Sequence, residues 1–297
     1  MRVLVTGAAG FVGTNVCLRL LEMGHKVVAL DDLSAGSFFL PKSSRLTFLK
    51  EDVTHERTVN HAMRGIDSVV HAACVQMPTS LLDAQRDLAV HVRGTLNVAQ
   101  NLRGRRMVYL SSCSVYGQQT ILPILENAPL YPFTVYAAGK LGGESYVRAL
   151  GANAVCLRLS NVYGPYQHPA YHASVVGRFI FSAEAGETAN IHGDGLAVRD
   201  FTYVDDVVDA IVLSLESEKQ GVFNVATGRG TSIKSLADIC GVKTKHVPLR
   251  SLDTVSNRIL SNTLIDIELG WKPKTPLSDG IEKTRAWVRE IREAVTA

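Results

Sequence analysis

Val3-Leu4-Val5-Thr6-Gly7-Ala8-Ala9-Gly10-Phe11-Val12-Gly13 opens the chain and decides its fold. The apolar run Val3-Leu4-Val5 reads as a strand, and the glycines at 7, 10 and 13 read as a turn. From Phe11 to Met23 the apolar residues fall on one face, which predicts a helix that stops at Gly24. A G-x-x-G-x-x-G turn between strand and helix has a physical purpose. Gly7 permits the tight turn, Gly10 lets backbone approach a pyrophosphate at the helix N-terminus, and Gly13 allows close packing of helix on sheet. The second strand, Lys26 to Leu30, leads into Asp31, 18 residues past Gly13. A carboxylate there can accept from both hydroxyls of an adenosine ribose. Asp31 and Asp32 would also repel a 2′-phosphate, which predicts NAD rather than NADP.

Outward from this turn, short apolar runs alternate with helical patterns. Leu46 to Lys50, Ser68 to His71, Met107 to Ser111 and Ala154 to Leu159 are read as strands, with helices over Asp83 to Asn101 and Ala137 to Leu150. This alternation demands a parallel sheet with right-handed crossovers. The expected class is therefore α/β, a Rossmann-type doubly wound parallel sheet with a smaller C-terminal α/β substrate-binding cap. The boundaries read from the sequence are 1–163 for the dinucleotide-binding part and 164–297 for the cap region. The texture changes at the loop Pro165-Tyr166-Gln167-His168-Pro169, and 199–226, with a strand at Val222 to Val225, is expected to return to the sheet.

Composition narrows the class further. The 297 residues are 46% hydrophobic and 20% charged with a net charge of +3 and no run of like charges. That profile carries no nucleic-acid or membrane footprint. No stretch approaches the ~18 apolar residues of a membrane span, and the run after Arg2 is too short for a secretory signal. The five cysteines (Cys17, Cys74, Cys113, Cys156 and Cys240) are odd in number and far apart. They suggest no metal site, and they fit reduced thiols in a cytoplasmic protein.

The chemistry is carried by Ser112 and by Tyr136-Ala137-Ala138-Gly139-Lys140. Four residues apart on a helix, Tyr136 and Lys140 face the same way. A free tyrosine, with a pKa of ~10, is a poor base at neutral pH. A neighbouring ammonium and an oxidised nicotinamide both favour the phenolate. The pair can then take a hydroxyl proton while hydride leaves the same carbon, with Ser112 hydrogen-bonding that hydroxyl. Ser112, Tyr136 and Lys140 are the expected catalytic residues. Asp52-Val53 and Ala72-Ala73, after the third and fourth strands, are placed at the carboxyl edge of the sheet, where adenine and pyrophosphate would lie.

The chain resembles an extended short-chain dehydrogenase/reductase of the NAD-dependent sugar epimerase/dehydratase family over essentially its whole length. Matching stretches are Thr6 to Gly13, Asp31-Asp32-Leu33-Ser34-Ala35-Gly36, Ser111 to Gly117, Tyr136 to Lys140, Leu157 to Pro165, Gly193-Asp194-Gly195, Arg199 to Asp206 and Leu269-Gly270-Trp271-Lys272-Pro273. The resemblance implies NAD contacts by Gly7, Gly10, Phe11, Val12, Gly13, Asp31, Asp32, Leu33, Ser34, Gly36, Asp52, Val53, Ala72, Ala73, Cys74, Gln76, His91, Tyr136 and Lys140. It implies that the second half binds a nucleoside-diphosphate sugar. Ser112, Ser114 and Tyr136 would lie at the sugar, and Asn161 and Arg199 at the diphosphate. Asn190 and His192 would lie at the nucleobase, and Val176 and Arg258 elsewhere in the substrate pocket. It further implies a homodimer through the helices carrying Asp83 to Asn101 and Ala137 to Leu150.

Within such a family the reaction turns on the residues after Ser112. Dehydratases carry two acids there and decarboxylases a glutamate, whereas this chain has Ser112-Cys113-Ser114. The expected reaction is therefore C4 inversion of the sugar by transient oxidation. Dehydration, reduction of a 4-keto sugar and C3/C5 epimerisation on the same scaffold are the alternatives. Two departures from the family pattern stand out: His91 where asparagine is usual, and Gly139 where serine commonly precedes the lysine.

Overall fold

Runs such as Val3-Leu4-Val5 and Ser68-Val69-Val70-His71 are apolar on both sides, which suits a strand buried on both faces of a parallel sheet. The computed structural model of the chain describes residues 1–35, 39–167, 174–249 and 255–296. His168 and Pro169 of the expected loop lie outside the described residues. Along the chain the strands are β1 (Arg2–Thr6), β2 (Lys26–Asp31), β3 (Leu46–Lys50), β4 (Ser68–His71), β5 (Arg106–Ser112) and β6 (Ala154–Leu159), then β7 (Asn161–Tyr163), β8 (Ala189–His192) and β9 (Val198–Tyr203), then β10 (Gly221–Val225), β11 (Gly230–Ser232), β12 (Thr244–Val247) and β13 (Asn257–Arg258). Seven of them form one parallel sheet in the order β10-β6-β5-β4-β1-β2-β3. The expected doubly wound architecture is the one observed.

Alternate residues of each strand feed two apolar layers. Val3, Val5, Val27, Ala29 and Val70 join one layer with Phe11, Val16 and Leu20 of the Phe11–Glu22 helix and Val207 and Ile211 of the Val204–Glu216 helix. Leu4, Val28, Leu30, Val69 and Met107 join the other with Val59, Val98 and Val147. Because β1 lies between β4 and β2, the loops after β1 and β4 leave in opposite directions, and a crevice opens at the carboxyl edge. Strand β10 pairs in parallel with β6, so residues 221–225 complete the sheet.

The smaller strands sit beyond that edge. Strand β9 pairs with β7, β11 and β13, which brings Arg199 into register with Arg258 on adjacent strands. Two local differences from the sequence reading matter. The predicted helix over Asp83 to Asn101 is broken into Ala84–Leu88, a π-helical segment Ala89–Gly94 and Thr95–Gln100. The other helix runs Val135–Ala149, starting earlier than expected because the Thr134 hydroxyl caps it by accepting from the Ala137 N–H at 3.1 Å.

Candidate active site

The turn after β1 is built as its glycines require. Gly7 has φ +65, and a Cβ on it would meet the Ala72–Ala73 backbone within 2.7 Å. A Cβ on Gly13 would stand 2.0 Å from the Gly7 carbonyl oxygen. The helix that follows begins with Gly10 as its cap, which carries no side chain to close the helix end. A helix N-terminus whose cap residue has no side chain leaves room for an anionic pyrophosphate. Asp31 Oδ2 accepts from the Ala9 N–H at 3.0 Å and Oδ1 from the Leu33 N–H at 2.8 Å. Burial pushes the Asp31 carboxyl above its ordinary value, and those two N–H groups pull it back. Its remaining lone pairs fit a pair of hydroxyl donors such as a ribose diol.

A cleft of about 620 Å³ runs along this edge, lined by Gly7, Gly10, Phe11, Val12, Gly13, Asp31, Asp32, Ser34, Asp52, Val53, Ala72, Ala73, Cys74 and Gln76, and at its far end by Ser112, Ser114, Tyr136 and Lys140. The cleft residues thus fit a dinucleotide from adenosine to nicotinamide. Two of the expected contacts are placed otherwise. Leu33 has φ +62 and spends its N–H on Asp31, so it shapes the turn and does not line the cleft. His91 is buried behind the cleft, where the π-helical segment carries it against the Val135–Ala149 helix. Gly36 lies outside the described residues. Asp32 is also not a bare carboxylate. Arg86 donates to its Oδ2 at 2.5 Å and to Asp52 Oδ2 at 2.6 Å, spanning the adenosine end.

At the other end the chemistry converges. Lys140, 3% exposed, donates from Nζ to the Leu110 carbonyl of β5 at 2.8 Å. Ser112, the last residue of β5, accepts from the Ser114 N–H at 3.2 Å and the Ser114 hydroxyl at 2.9 Å. Burial drives the Tyr136 phenol far above its usual range, and the Ser112 hydrogen bond works in the opposite direction. Burial also lowers Lys140. A positive charge bound beside Tyr136 is what would bring the phenolate into reach.

A second, larger cleft of about 1150 Å³ meets the first at Ser114, Asn161 and Arg258 and extends past Asn190, His192 and Arg199. The Arg199 guanidinium donates to the carbonyls of Val198, Val255 and Ser256 at 2.8 to 3.0 Å. The two nearby carboxylates of its segment, Asp200 and Asp206, have partners of their own. Asp200 accepts from Thr227 and Gly228, and Asp206 accepts from Thr275. Asn161 donates to the Asp200 carbonyl at 3.1 Å. Arg258 reaches Cys113 Sγ at 3.9 Å, and its buried Nε has no hydrogen-bond partner among the described residues. An orphaned guanidinium nitrogen where the clefts join fits a phosphate oxygen. Val176 is a correction: it is 1% exposed in the apolar core, and the helix phase turns its neighbour Val175 to the cleft.

Sequence reasoning missed Arg86, whose two partners lie 34 and 54 residues away, and Arg178, which lines the larger cleft. Arg178 had a local signal, a single cation in the otherwise apolar first turns of Val175–Ala185. Arg86 had none.

The model of the NAD dependent epimerase/dehydratase family matches residues 3–226. A UDP-glucose 4-epimerase of Mycolicibacterium smegmatis is 38% identical over 97% of this chain and 99% of its own length. A human dTDP-D-glucose 4,6-dehydratase is 30% identical over 97% of this chain and 90% of its own. Among solved structures, the UDP-glucose 4-epimerase of Thermotoga maritima with UDP-glucose superposes with a TM-score of 0.91 at 31% identity, covering 98% of this chain and 100% of that one. With that match over most of its length, and with the glycine turn, Asp31 and the Ser112, Tyr136 and Lys140 cluster in one cleft, the chain belongs to the NAD-dependent epimerase/dehydratase family.

Proposed function

We propose that this protein inverts C4 of a UDP-hexose by transient oxidation to the 4-keto sugar, with NAD as resident cofactor. NAD held in the cleft lined by Gly7, Gly10, Gly13 and Asp31 would supply the hydride acceptor and donor for C4. Tyr136 Oη takes the proton of the 4-hydroxyl as hydride leaves and returns it when the carbinol re-forms. The Lys140 ammonium, fixed on the Leu110 carbonyl, favours the phenolate. Ser112 hydrogen-bonds the reacting oxygen and shares the proton path. Arg258 and Arg199 hold the diphosphate, leaving the hexose to turn between the two transfers. Binding energy remote from the reacting carbon is thereby used where it does not hinder that turn.

The observation that carries this reading is the junction itself. Tyr136 and Ser112 line the dinucleotide cleft where it meets the substrate cleft, and no carboxylate stands on the Ser112-Cys113-Ser114 segment. The described acids lining the two clefts are Asp31, Asp32, Glu51, Asp52, Glu187 and Asp194. None of these belongs to the catalytic segment, so expulsion of water from C5 and C6 lacks its acid and base. UDP is favoured by the UDP-glucose 4-epimerases among the relatives.

A cytoplasmic homodimer is part of the same proposal. All five thiols are free, as a reducing compartment requires. Leu88, Tyr146 and Leu150 are exposed on the segments that would form the interface. No described helix is long and apolar enough to cross a membrane. The test is turnover of UDP-, dTDP-, GDP- and CDP-hexoses with catalytic NAD, with products resolved by NMR. A C4-inverted UDP-sugar without net NADH supports the reading. A dehydrated product, or one that needs stoichiometric NADH, overturns it.

A further inference from the structure

The two departures from the family pattern, His91 and Gly139, are one feature. A Cβ at position 139 would stand 2.2 Å from Asp87 Oδ1 and 2.7 Å from His91 Nδ1. A serine there would collide with a carboxylate, so the glycine is what lets an acid–imidazole pair press against the helix that carries Tyr136 and Lys140. Asp87 and His91 are each 1% exposed. His91 Nε2 accepts from the Val75 N–H at 3.2 Å, which assigns the ring proton to Nδ1. Nδ1 faces Asp87 Oδ2 at 2.9 Å, off the hydrogen-bond axis, and the Ser80 hydroxyl donates to the same oxygen at 2.5 Å. The imidazole also stands edge-on to the Tyr136 ring, with centroids 5.4 Å apart.

A buried pair beside the reacting groups needs a reason, because a carboxylate out of water is costly unless it serves a partner. Lys140 supplies that reason. Its ammonium is buried, which works against its charge, and its hydrogen bond to the Leu110 carbonyl adds no counter-charge. Burial lowers Lys140, and against it act first Cys74 and then Asp87, the one carboxylate of the two, whose Oδ1 lies against the Gly139 position next to Lys140 on the same helix. The titratable and charged groups facing the pair are Tyr136 and Lys140 from the catalytic helix and His71 from β4, while Cys74 from the loop after β4 acts in turn on Tyr136 and Lys140.

We propose that Asp87, wedged by His91 and admitted by Gly139, is a positioning residue that supplies the counter-charge for Lys140 and so sets the pH range in which Tyr136 exchanges its proton. The proposal rests on the epimerase reading for its consequence in catalysis, but its physical content is testable without a sugar. Removing a buried negative charge lowers the pKa of every acid nearby. In Asp87→Asn, Tyr136 and Lys140 should therefore both release their protons at lower pH.

The test is a tyrosinate absorbance titration of the NAD-loaded protein, each form read against its own Tyr136→Phe counterpart. The pH dependence of kcat follows on whichever sugar is turned over. In Asp87→Asn the Tyr136 ionisation and the alkaline limb of kcat should both move down by about one pH unit. Gly139→Ala, whose methyl pushes the carboxylate away, should shift them in the same direction. It decides the matter if Asp87→Asn does not fold. A folded variant with reduced kcat and an unmoved Tyr136 ionisation would overturn the proposal and leave Asp87 a packing residue. A shifted titration with no epimerase activity would leave the proposal standing and count against the proposed function alone.

Discussion

Replacing Arg158 by methionine should destabilise the protein by about 4 kcal/mol, within the range for breaking a buried ion pair. Arg158 and Glu144 are 2% and 0% exposed. The guanidinium meets Glu144 Oε1 at 2.6 Å and Oε2 at 3.1 Å. It also donates to the Tyr116 hydroxyl and the Glu126 carbonyl, each at 2.9 Å, and lies 4.8 Å over the Tyr116 ring. Glu144 sits one turn beyond Lys140, and its only other donor described is the Ser111 hydroxyl at 2.8 Å. Removing Arg158 strands a carboxylate in the core, while Glu144→Met with Arg158→Met leaves no charge to strand. The double variant should therefore be at least about 2 kcal/mol more stable than Arg158→Met alone, a strongly non-additive pair. Equilibrium urea unfolding followed by tryptophan fluorescence measures both. A loss under about 1 kcal/mol in the single variant, or a double variant at the sum of the singles, would refute the reasoning.

Arg86→Ala opens the clasp between Asp32 and Asp52. These side chains are 20 to 29% exposed, so the two charge-assisted bonds are discounted to about 1–2 kcal/mol together. NAD should then leave roughly 5- to 30-fold faster, as read by stopped-flow displacement, and an unchanged release rate would dismiss the clasp. Gly13→Ala should abolish NAD binding in calorimetry, because its methyl has no room beside the Gly7 carbonyl. His71 predicts acid sensitivity. It is buried between Thr6 and Thr95, and burial, with Lys140 and His91, lowers its pKa to about 3. A histidine depressed in the folded state binds its proton preferentially when unfolded. Its contribution is thus complete above pH 6.5 and is lost as pH falls from there toward 3. At pH 5 the loss is about 2 kcal/mol, and His71→Gln should flatten that slope in urea titrations at successive pH values.

Much of this was legible in the sequence because the signals are local. The glycine turn, the runs buried on both faces, and the four-residue spacing of Tyr136 and Lys140 each state their geometry within a few residues. Ser112 was legible because it ends a strand. The rest depended on contacts across the fold. Arg86 finds its carboxylates only once β2 and β3 lie side by side. Val176 and Val175 differ only in helix phase, which the local pattern does not fix to one residue. Leu33 lies within the matching stretch, yet a left-handed turn spends it on Asp31. His91 and Gly139 read as two unrelated departures until the π-helical segment brought one against the other.

The central claim is that hydride leaves C4 and returns to C4 while Tyr136 moves the proton. UDP-glucose deuterated at C4 tests it directly, with catalytic NAD in ordinary water and NMR of the product. The expected product is the C4-inverted sugar with its deuterium still at C4, formed by the wild type and absent with Tyr136→Phe. Deuterium moved to C6, deuterium lost to solvent, or undiminished turnover by Tyr136→Phe would contradict the account.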